Sequence, residues 1–250
     1  MSHLGTVLGV WAHPDDEAYL SAGLMAQART AGSRVVVITA TEGERGTDDP
    51  ARWPPHVLGP LRRTELDESL AALGVAEHRF LGYADGGCAD VPRAAAVARI
   101  AQIMDEVRPD TVLTFGPDGM TGHPDHRAVS DWTTAAWQVA GRPGRLWYAT
   151  TTVGFHLRWG ALNARIGVWG AAGPPLPAEP GRLAYVMTCT GEVLDRKHAA
   201  LLAQRSQTEA LRVAMGPEKY RVWWAEEAFA LGCEDGSPDS HQGRAVRTPV

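Results

Sequence analysis

The apolar run over residues 6–11 passes directly into Ala12-His13-Pro14-Asp15-Asp16-Glu17, and this junction constrains the fold more than any other stretch. Such a run reads as a buried strand. An imidazole and three carboxylates at the end of a core strand are costly to desolvate unless something cationic holds them. A divalent metal is the obvious candidate, and a second cluster, His123-Pro124-Asp125-His126, supplies the imidazoles that a zinc site needs.

Strand and helix patterns alternate through the first part of the chain. Residues 6–12 are expected as a strand, 16–31 as a helix stopped by Gly32, and 33–40 as a β-branched buried strand. Residues 42–60, rich in Gly, Pro, Asp and Glu, read as a loop, and 61–73 as a helix ended by Gly74. A strand over 77–83, a helix over 92–107, a strand over 110–115, a helix over 124–139 and a strand over 146–153 continue the pattern. Beyond residue 154 it is less regular, with a Gly/Pro-rich loop over 170–181 and a long helix over 191–215. Residues 1–233 are read as a single domain and 234–250 as a loose polar tail. Repeated strand–helix–strand units imply an α/β fold with a parallel sheet covered by helices on both faces. The polar clusters at Asp15-Asp16, Thr41-Glu42-Gly43-Glu44, Asp85 and 118–126 all follow the C-terminal ends of expected strands. In open α/β sheets that edge binds ligands, so the active site is expected there.

At 250 residues the chain fits one α/β domain with an ample core. A formal charge of −5 with no Lys- or Arg-rich face argues against a nucleic-acid partner. Cys88, Cys189 and Cys233, without CxxC spacing, indicate neither a disulfide framework nor a thiolate zinc site. The first five residues lack the cationic start of a signal peptide, and no apolar stretch approaches the about 20 residues of a membrane span. The expected location is the cytoplasm. Association into a homo-oligomer is left open.

If a helix begins near Pro14, His13 and Asp16 lie three apart on one side and Asp15 points off that axis. His123 and His126 have the same spacing. Spacing alone therefore offers up to four ligands: His13, Asp16, His123 and His126. A catalytic zinc keeps one position open, so one imidazole is free for other work, and spacing does not say which. An Asp-Asp pair alone reads as helix capping, and a His-x-x-His alone as an ordinary surface or core pair. Both together, after strand ends and each with Pro in second place, point to a metal.

These two motifs make the chain resemble the LmbE-like, PIG-L-type N-deacetylases, which act on N-acetylglucosamine units in glycolipid, sugar-thiol and antibiotic precursors. The resemblance covers about residues 6–130. It implies a Rossmann-like three-layer sandwich holding zinc through His13, Asp16 and His126, with Asp15 as general base and His123 as the free imidazole. Ferrous iron accepts the same ligands. The implied reaction is hydrolysis of the acetamide of a small N-acetylated amino sugar, with the leaving amine protonated by His123 or by Asp15. Asp125 would orient His123 or cap the helix, and Glu17 is either a partner behind the ligands or a favourable helix-start charge.

Arg62, in Arg62-Arg63-Thr64-Glu65-Leu66, aligns with an arginine that contacts substrate in some members; a helix-spaced pair with Glu65 is the plainer reading. Asp85, in Leu81-Gly82-Tyr83-Ala84-Asp85-Gly86, aligns with an aspartate that hydrogen-bonds sugar hydroxyls, against a simple turn aspartate. Glu44, in Gly43-Glu44-Arg45-Gly46, is similar to a loop residue near the pocket. Two positions depart from the family. Thr121-Gly122 precedes His123 where some relatives carry an oxyanion-assisting tyrosine, and Gln204 stands where a histidine is usual. Of the nine tryptophans, Trp132 and Trp137 are expected in the core; Trp53, Trp159 and Trp169 pack or stack on sugar or an aromatic group. An amidase for non-sugar amides and a non-catalytic sugar-binding zinc protein are the competing readings. Dinucleotide binding is excluded, because the first strand–helix turn holds carboxylates in place of glycines.

Overall fold

The structure is a computed structural model and describes residues 4–170 and 173–232. Its strands are β1 (Val7–Trp11), β2 (Val35–Thr41), β3 (Glu77–Tyr83), β4 (Thr111–Phe115), β5 (Arg145–Thr150), β6 (Leu183–Thr188) and β7 (Glu226–Leu231). Its helices are α1 (Asp16–Leu20), α2 (Ala22–Thr30), α3 (Pro55–Leu73), α4 (Arg93–Val107), α5 (Pro124–Val139), α6 (Val153–Ile166), α7 (Gly191–Ala203), α8 (Arg205–Met215) and α9 (Pro217–Trp223).

All seven strands join one sheet in the order β3-β2-β1-β4-β5-β7-β6. The first five run parallel, and β7 pairs antiparallel with both β5 and β6. Strands β1, β2 and β4 are buried at every residue, as expected of apolar runs covered on both faces. The chain moves outward from β1 to β3 and then returns to β4 on the other side of β1. Right-handed connections therefore put α1–α3 on one face and α4 and α5 on the other. The order reverses between β1 and β4, whose register pairs Val7 with Thr111. Such a reversal opens a crevice beyond the strand ends, and both histidine clusters follow these two strands.

Several boundaries differ from expectation, each for a physical reason. The helix over 16–31 breaks at Ser21, whose φ is −146°. A new helix starts there because the Glu227 carboxylate, from β7, accepts the N–H groups of Gly23 (2.7 Å) and Leu24 (2.8 Å), capping the amides that a helix start leaves free. The helix over 191–215 breaks at Gln204, which turns inward. Helix α3 starts at Pro55, not 61, because Pro is favoured at the first helical position; Pro60 is tolerated close behind it. Strands β6 and β7 and helices α6 and α9 were not expected at all. No helix among the described residues is long and apolar enough to cross a membrane. Cys88 and Cys189 are buried and free, while Cys233 and the tail over 234–250 lie outside the described residues.

Candidate active site

His13 leaves the end of β1 with its ring wedged between two sets of partners. Its Nε2 lies 3.1 Å from Oδ2 of Asp125 and 3.2 Å from Oδ1 of Asp85. Its Nδ1 faces Nε2 of His126 at 3.1 Å. His126, in the first turn of α5, has its Nδ1 2.9 Å from the carbonyl oxygen of Gly119 and stacks on Phe115 at 4.2 Å. Each imidazole thus donates its second N–H to an oxygen, which fixes the tautomer and turns the two remaining lone pairs toward each other. Two such nitrogens 3.1 Å apart need a shared proton or a metal cation between them.

The Asp16 carboxylate completes the group. Its Oδ2 is 3.7 Å from His13 Nδ1 and its Oδ1 is 3.4 Å from His126 Nε2. Ligands about 2.1 Å from a tetrahedral zinc lie about 3.4 Å apart, and each imidazole nitrogen stands near that separation from a different Asp16 oxygen, Oδ2 for His13 and Oδ1 for His126. Oδ2 of Asp16 also accepts the N–H of His13 at 2.8 Å, which anchors the carboxylate to the strand end. Burial would lower the pKa of His13, but Asp125, Asp85 and Asp16 outweigh it and raise it to about 10. The surroundings stabilise positive charge at this point. Burial, and then the charge on His13, push His126 down to about 3, so its ring stays a neutral donor.

Two groupings bring one ligand atom from each of three residues close together. Nitrogens of His123, His13 and His126 lie within 4.8 Å of one another, as do atoms of His13, Asp85 and Asp125. The second set is already saturated by donors. Asp125 accepts from Gly86 N (2.7 Å) and Cys88 N (3.0 Å) as well as from His13, and Asp85 Oδ2 accepts from Arg45 N (2.8 Å). His123 is the N-cap of α5, its Nδ1 taking the N–H of Asp125 at 3.2 Å. Its ring is partly exposed and lines the cavity.

Asp15 sits between these groups in an uncommon backbone conformation, φ 112° and ψ −30°, a region that favours glycine. It makes no side-chain cap to α1, so the capping reading of Asp-Asp does not hold. Its N–H donates to Oε2 of Glu17 at 3.0 Å. Glu17 is fully buried, and its other oxygen accepts from Gln204 and Ser69. Burial, followed by the nearby Asp15 charge, pushes Glu17 up to about 8. Glu17 thus holds the Asp15 backbone without touching His13, Asp16 or His126, and Gln204 braces it.

Arg62 is buried and lies 3.3 Å from Oδ2 of Asp15. It also donates to the carbonyls of Gly43, at 2.7 Å, and Pro14. A Cβ at Gly43 would fall 2.1 Å from Arg62 Nη1, which is why the loop after β2 carries glycine there. The helix-spaced Arg62–Glu65 pair is corrected: Glu65 accepts from Ser206 N (2.9 Å) and Oγ (2.5 Å) instead. Asp125 is a second correction. Its carboxylate orients His13, and it reaches His123 only through its backbone N–H; it caps no helix. Glu44 accepts the N–H of Asp85 at 2.8 Å, and so holds Asp85 from behind without facing the cavity itself.

His13, Asp15, Asp16, Arg62, Asp85, His123 and His126 line one wall of a cavity of about 430 Å³. The opposite wall was largely missed in the sequence. It comprises Tyr19 and Leu20 of α1, Val168 and Trp169 after α6, Leu211 of α8, and Trp223 and Trp224 at the end of α9. Tyr19 and Leu20 follow Asp16 by three and four positions, the one available signal; nothing local marks the rest. Trp169 was singled out and does line the cavity. Trp132 and Trp137 are core residues, Trp159 packs against the core, and Trp53 is not among the lining residues.

Residues 8–137 match the family described as PIG-L: GlcNAc-PI de-N-acetylase. The chain is 34% identical to a 1D-myo-inositol 2-acetamido-2-deoxy-alpha-D-glucopyranoside deacetylase of Saccharomonospora viridis, over 86% of this chain and 88% of that one. Among solved structures, the A40926 pseudoaglycone deacetylase Dbv21 superposes with a TM-score of 0.65 at 22% identity, covering 91% of this chain and 97% of that one. The N,N'-diacetylchitobiose deacetylase of Pyrococcus horikoshii gives 0.60 at 21% identity, covering 91% and 83%.

Proposed function

Because the chain belongs to the PIG-L, GlcNAc-PI de-N-acetylase, family, we propose that it hydrolyses the acetamide of an N-acetylated amino sugar, using zinc held by His13, Asp16 and His126. One observation supports the metal assignment: the convergence of His13 Nδ1 and His126 Nε2, 3.1 Å apart, beside the Asp16 carboxylate. Bound there, zinc polarises the amide carbonyl and brings the pKa of a coordinated water toward about 7.

The protein's own groups do the rest. Asp15 is the general base. Burial raises it to about 7 although Arg62 beside it pulls it down, and a base poised near the working pH is the effective one. Arg62 holds that carboxylate in place through the 3.3 Å contact and is itself fixed by two backbone carbonyls. His123 has its Nδ1 committed to the N–H of Asp125, which leaves Nε2 as the proton-bearing nitrogen. It donates to the oxyanion that develops on the carbonyl carbon's oxygen. The proton taken by Asp15 and the Nε2 proton of His123 are the two sources for the leaving amine. Asp125 and Asp85 keep His13 oriented, and Asp85 also faces the cavity, where sugar hydroxyls come within its reach. Thr121 contacts His126 Nδ1 at 3.2 Å and stands in for no tyrosine. A small acetylated substrate and two buried free thiols fit a reducing, cytoplasmic setting.

Acetate release from a panel of N-acetylated amino sugars and non-sugar acetamides tests this reading, together with metal content. Asp15→Asn is expected to keep its zinc and lose about 10²-fold or more in kcat. Zinc lost from Asp15→Asn but kept by Asp16→Asn would reverse the two roles, and acetate released only from the non-sugar amides would replace the substrate class.

A further inference from the structure

The cavity is two-faced, and its second face has no part in the chemistry just described. Opposite the histidine cluster stand Tyr19, Leu20, Val168, Trp169, Leu211 and Trp224. Three of the six are aliphatic. An aromatic ring can stack on the apolar face of a sugar, but leucine and valine offer a polyhydroxylated ring nothing. Two of the polar groups near this face are already engaged. Trp223, next to Trp224, gives its indole N–H to Asn163 at 2.9 Å, and the Tyr19 hydroxyl is 3.0 Å from that of Tyr220. On the other wall, Asp85 has one oxygen on Arg45 N and the other on His13, while Arg62 contacts Asp15 and two carbonyls and keeps a buried, unpartnered Nε. The polar lining of the cavity comes from the histidine cluster, Arg45, Arg62, Asp85, Thr121 and Gln207, whereas this face offers a hydroxyl-rich group little beyond indole N–H groups. The site is rich in apolar surface within one helical turn of Asp16.

We infer that the substrate carries an apolar substituent of about ring size close to the scissile amide, seated against this aromatic and aliphatic wall. The assignment rests on the deacetylase reading above and narrows its substrate class. Such a substituent has two sources, an aryl or alkyl aglycone on the amino sugar or an acyl chain longer than acetyl, the second of which would extend the proposed reaction from an acetamide to a longer amide, and burying it against such a wall is worth at least about tenfold.

The test compares N-acetylglucosamine, its phenyl β-glycoside, its inositol α-glycoside and N-hexanoylglucosamine. The readouts are kcat/KM for the zinc-loaded protein and, by calorimetry, Kd for Asp15→Asn. The phenyl glycoside or the hexanoyl amide is expected to exceed both N-acetylglucosamine and the inositol glycoside by at least about tenfold in either readout, and whichever does so identifies the source. Leu211→Asn is expected to cut that ratio by about fivefold or more. Preference for the inositol glycoside, or a ratio near one in both readouts, overturns the inference. Tight binding of an apolar probe without turnover of any compound would sustain the inference and defeat the deacetylase reading.

Discussion

The two parts of the molecule on either side of residue 150 contribute different things to one cavity. The earlier part is a regular parallel β/α array, and its loops supply every titratable group of the histidine cluster. The later part returns to the sheet edge through the antiparallel strands β6 and β7 and supplies much of the apolar wall, through Val168, Trp169, Leu211, Trp223 and Trp224. The family match ends at residue 137, close to this division. Chemistry that must hold charge needs short, stiff connections from strand ends. A wall that only has to be apolar can be built from helices whose exact entry matters less.

The largest test of this division is His126→Ala. It removes a donor from the earlier part and is expected to abolish metal retention and lower activity about 10³-fold or more, because a metal's contribution to the barrier is several kcal/mol. Its circular dichroism should stay native. A coincident collapse of the sheet would show that the cluster is structural.

Lys197→Met probes the seam between the two parts. Lys197 Nζ, fully buried, donates to Glu227 at 2.5 Å and to the carbonyl oxygen of Tyr19 at 2.7 Å. Removing it strands a buried carboxylate, at a cost of about 3–5 kcal/mol, visible as a melting point lower by about 10 °C. An unchanged melting point would mean that the seam does not depend on this pair.

Asp125→Asn is expected to weaken zinc affinity or activity about 10- to 100-fold through misorientation of His13, read from metal titration. A loss no larger than that of an exposed control would remove Asp125 from the site.

The smallest effect lies at the far edge of the sheet. Burial, and then Arg63, push His78 down to about 4 from 6.5. As pH falls from 6.5 toward 4 the unfolded chain takes up the proton first, so stability present above 6.5 is lost over that window. His78→Gln should flatten the decline by roughly 1 kcal/mol at pH 5, discounted for partial exposure, as followed by melting at pH 5 and pH 7. An equal decline in both proteins would rule this histidine out as its source.

Legibility in the sequence followed the same division. The run Val35-Val36-Val37-Ile38 announces a buried strand by itself, and β3 and α5 begin and end where the residue pattern puts them. The breaks at Ser21 and Gln204 were hidden because their causes are distant in sequence: Glu227 caps α2 from more than 200 residues away, and Gln204 answers to Glu17. Strand β6 is partly exposed along its length and β7 opens with two glutamates, one of them buried on a lysine, so neither shows an apolar run or a clean alternation. Within the site, residue types and spacing pointed to the histidine and aspartate cluster, but not to who partners whom. Arg62 had a helix neighbour of opposite charge at hand and took Asp15 instead, and Asp125 reached past His123 to His13. Contacts between loops from different strands have no signature along one chain.

The backbone of Asp15, held at φ 112° where glycine would rest more easily, sets heat tolerance against turnover. A non-glycine residue in so sparsely populated a conformation costs on the order of 1–3 kcal/mol. A lineage selected for thermal endurance alone would drift to glycine at that position and surrender its carboxylate. On the role proposed for Asp15, persistence of aspartate in any descendant is a sign that catalysis is still under selection.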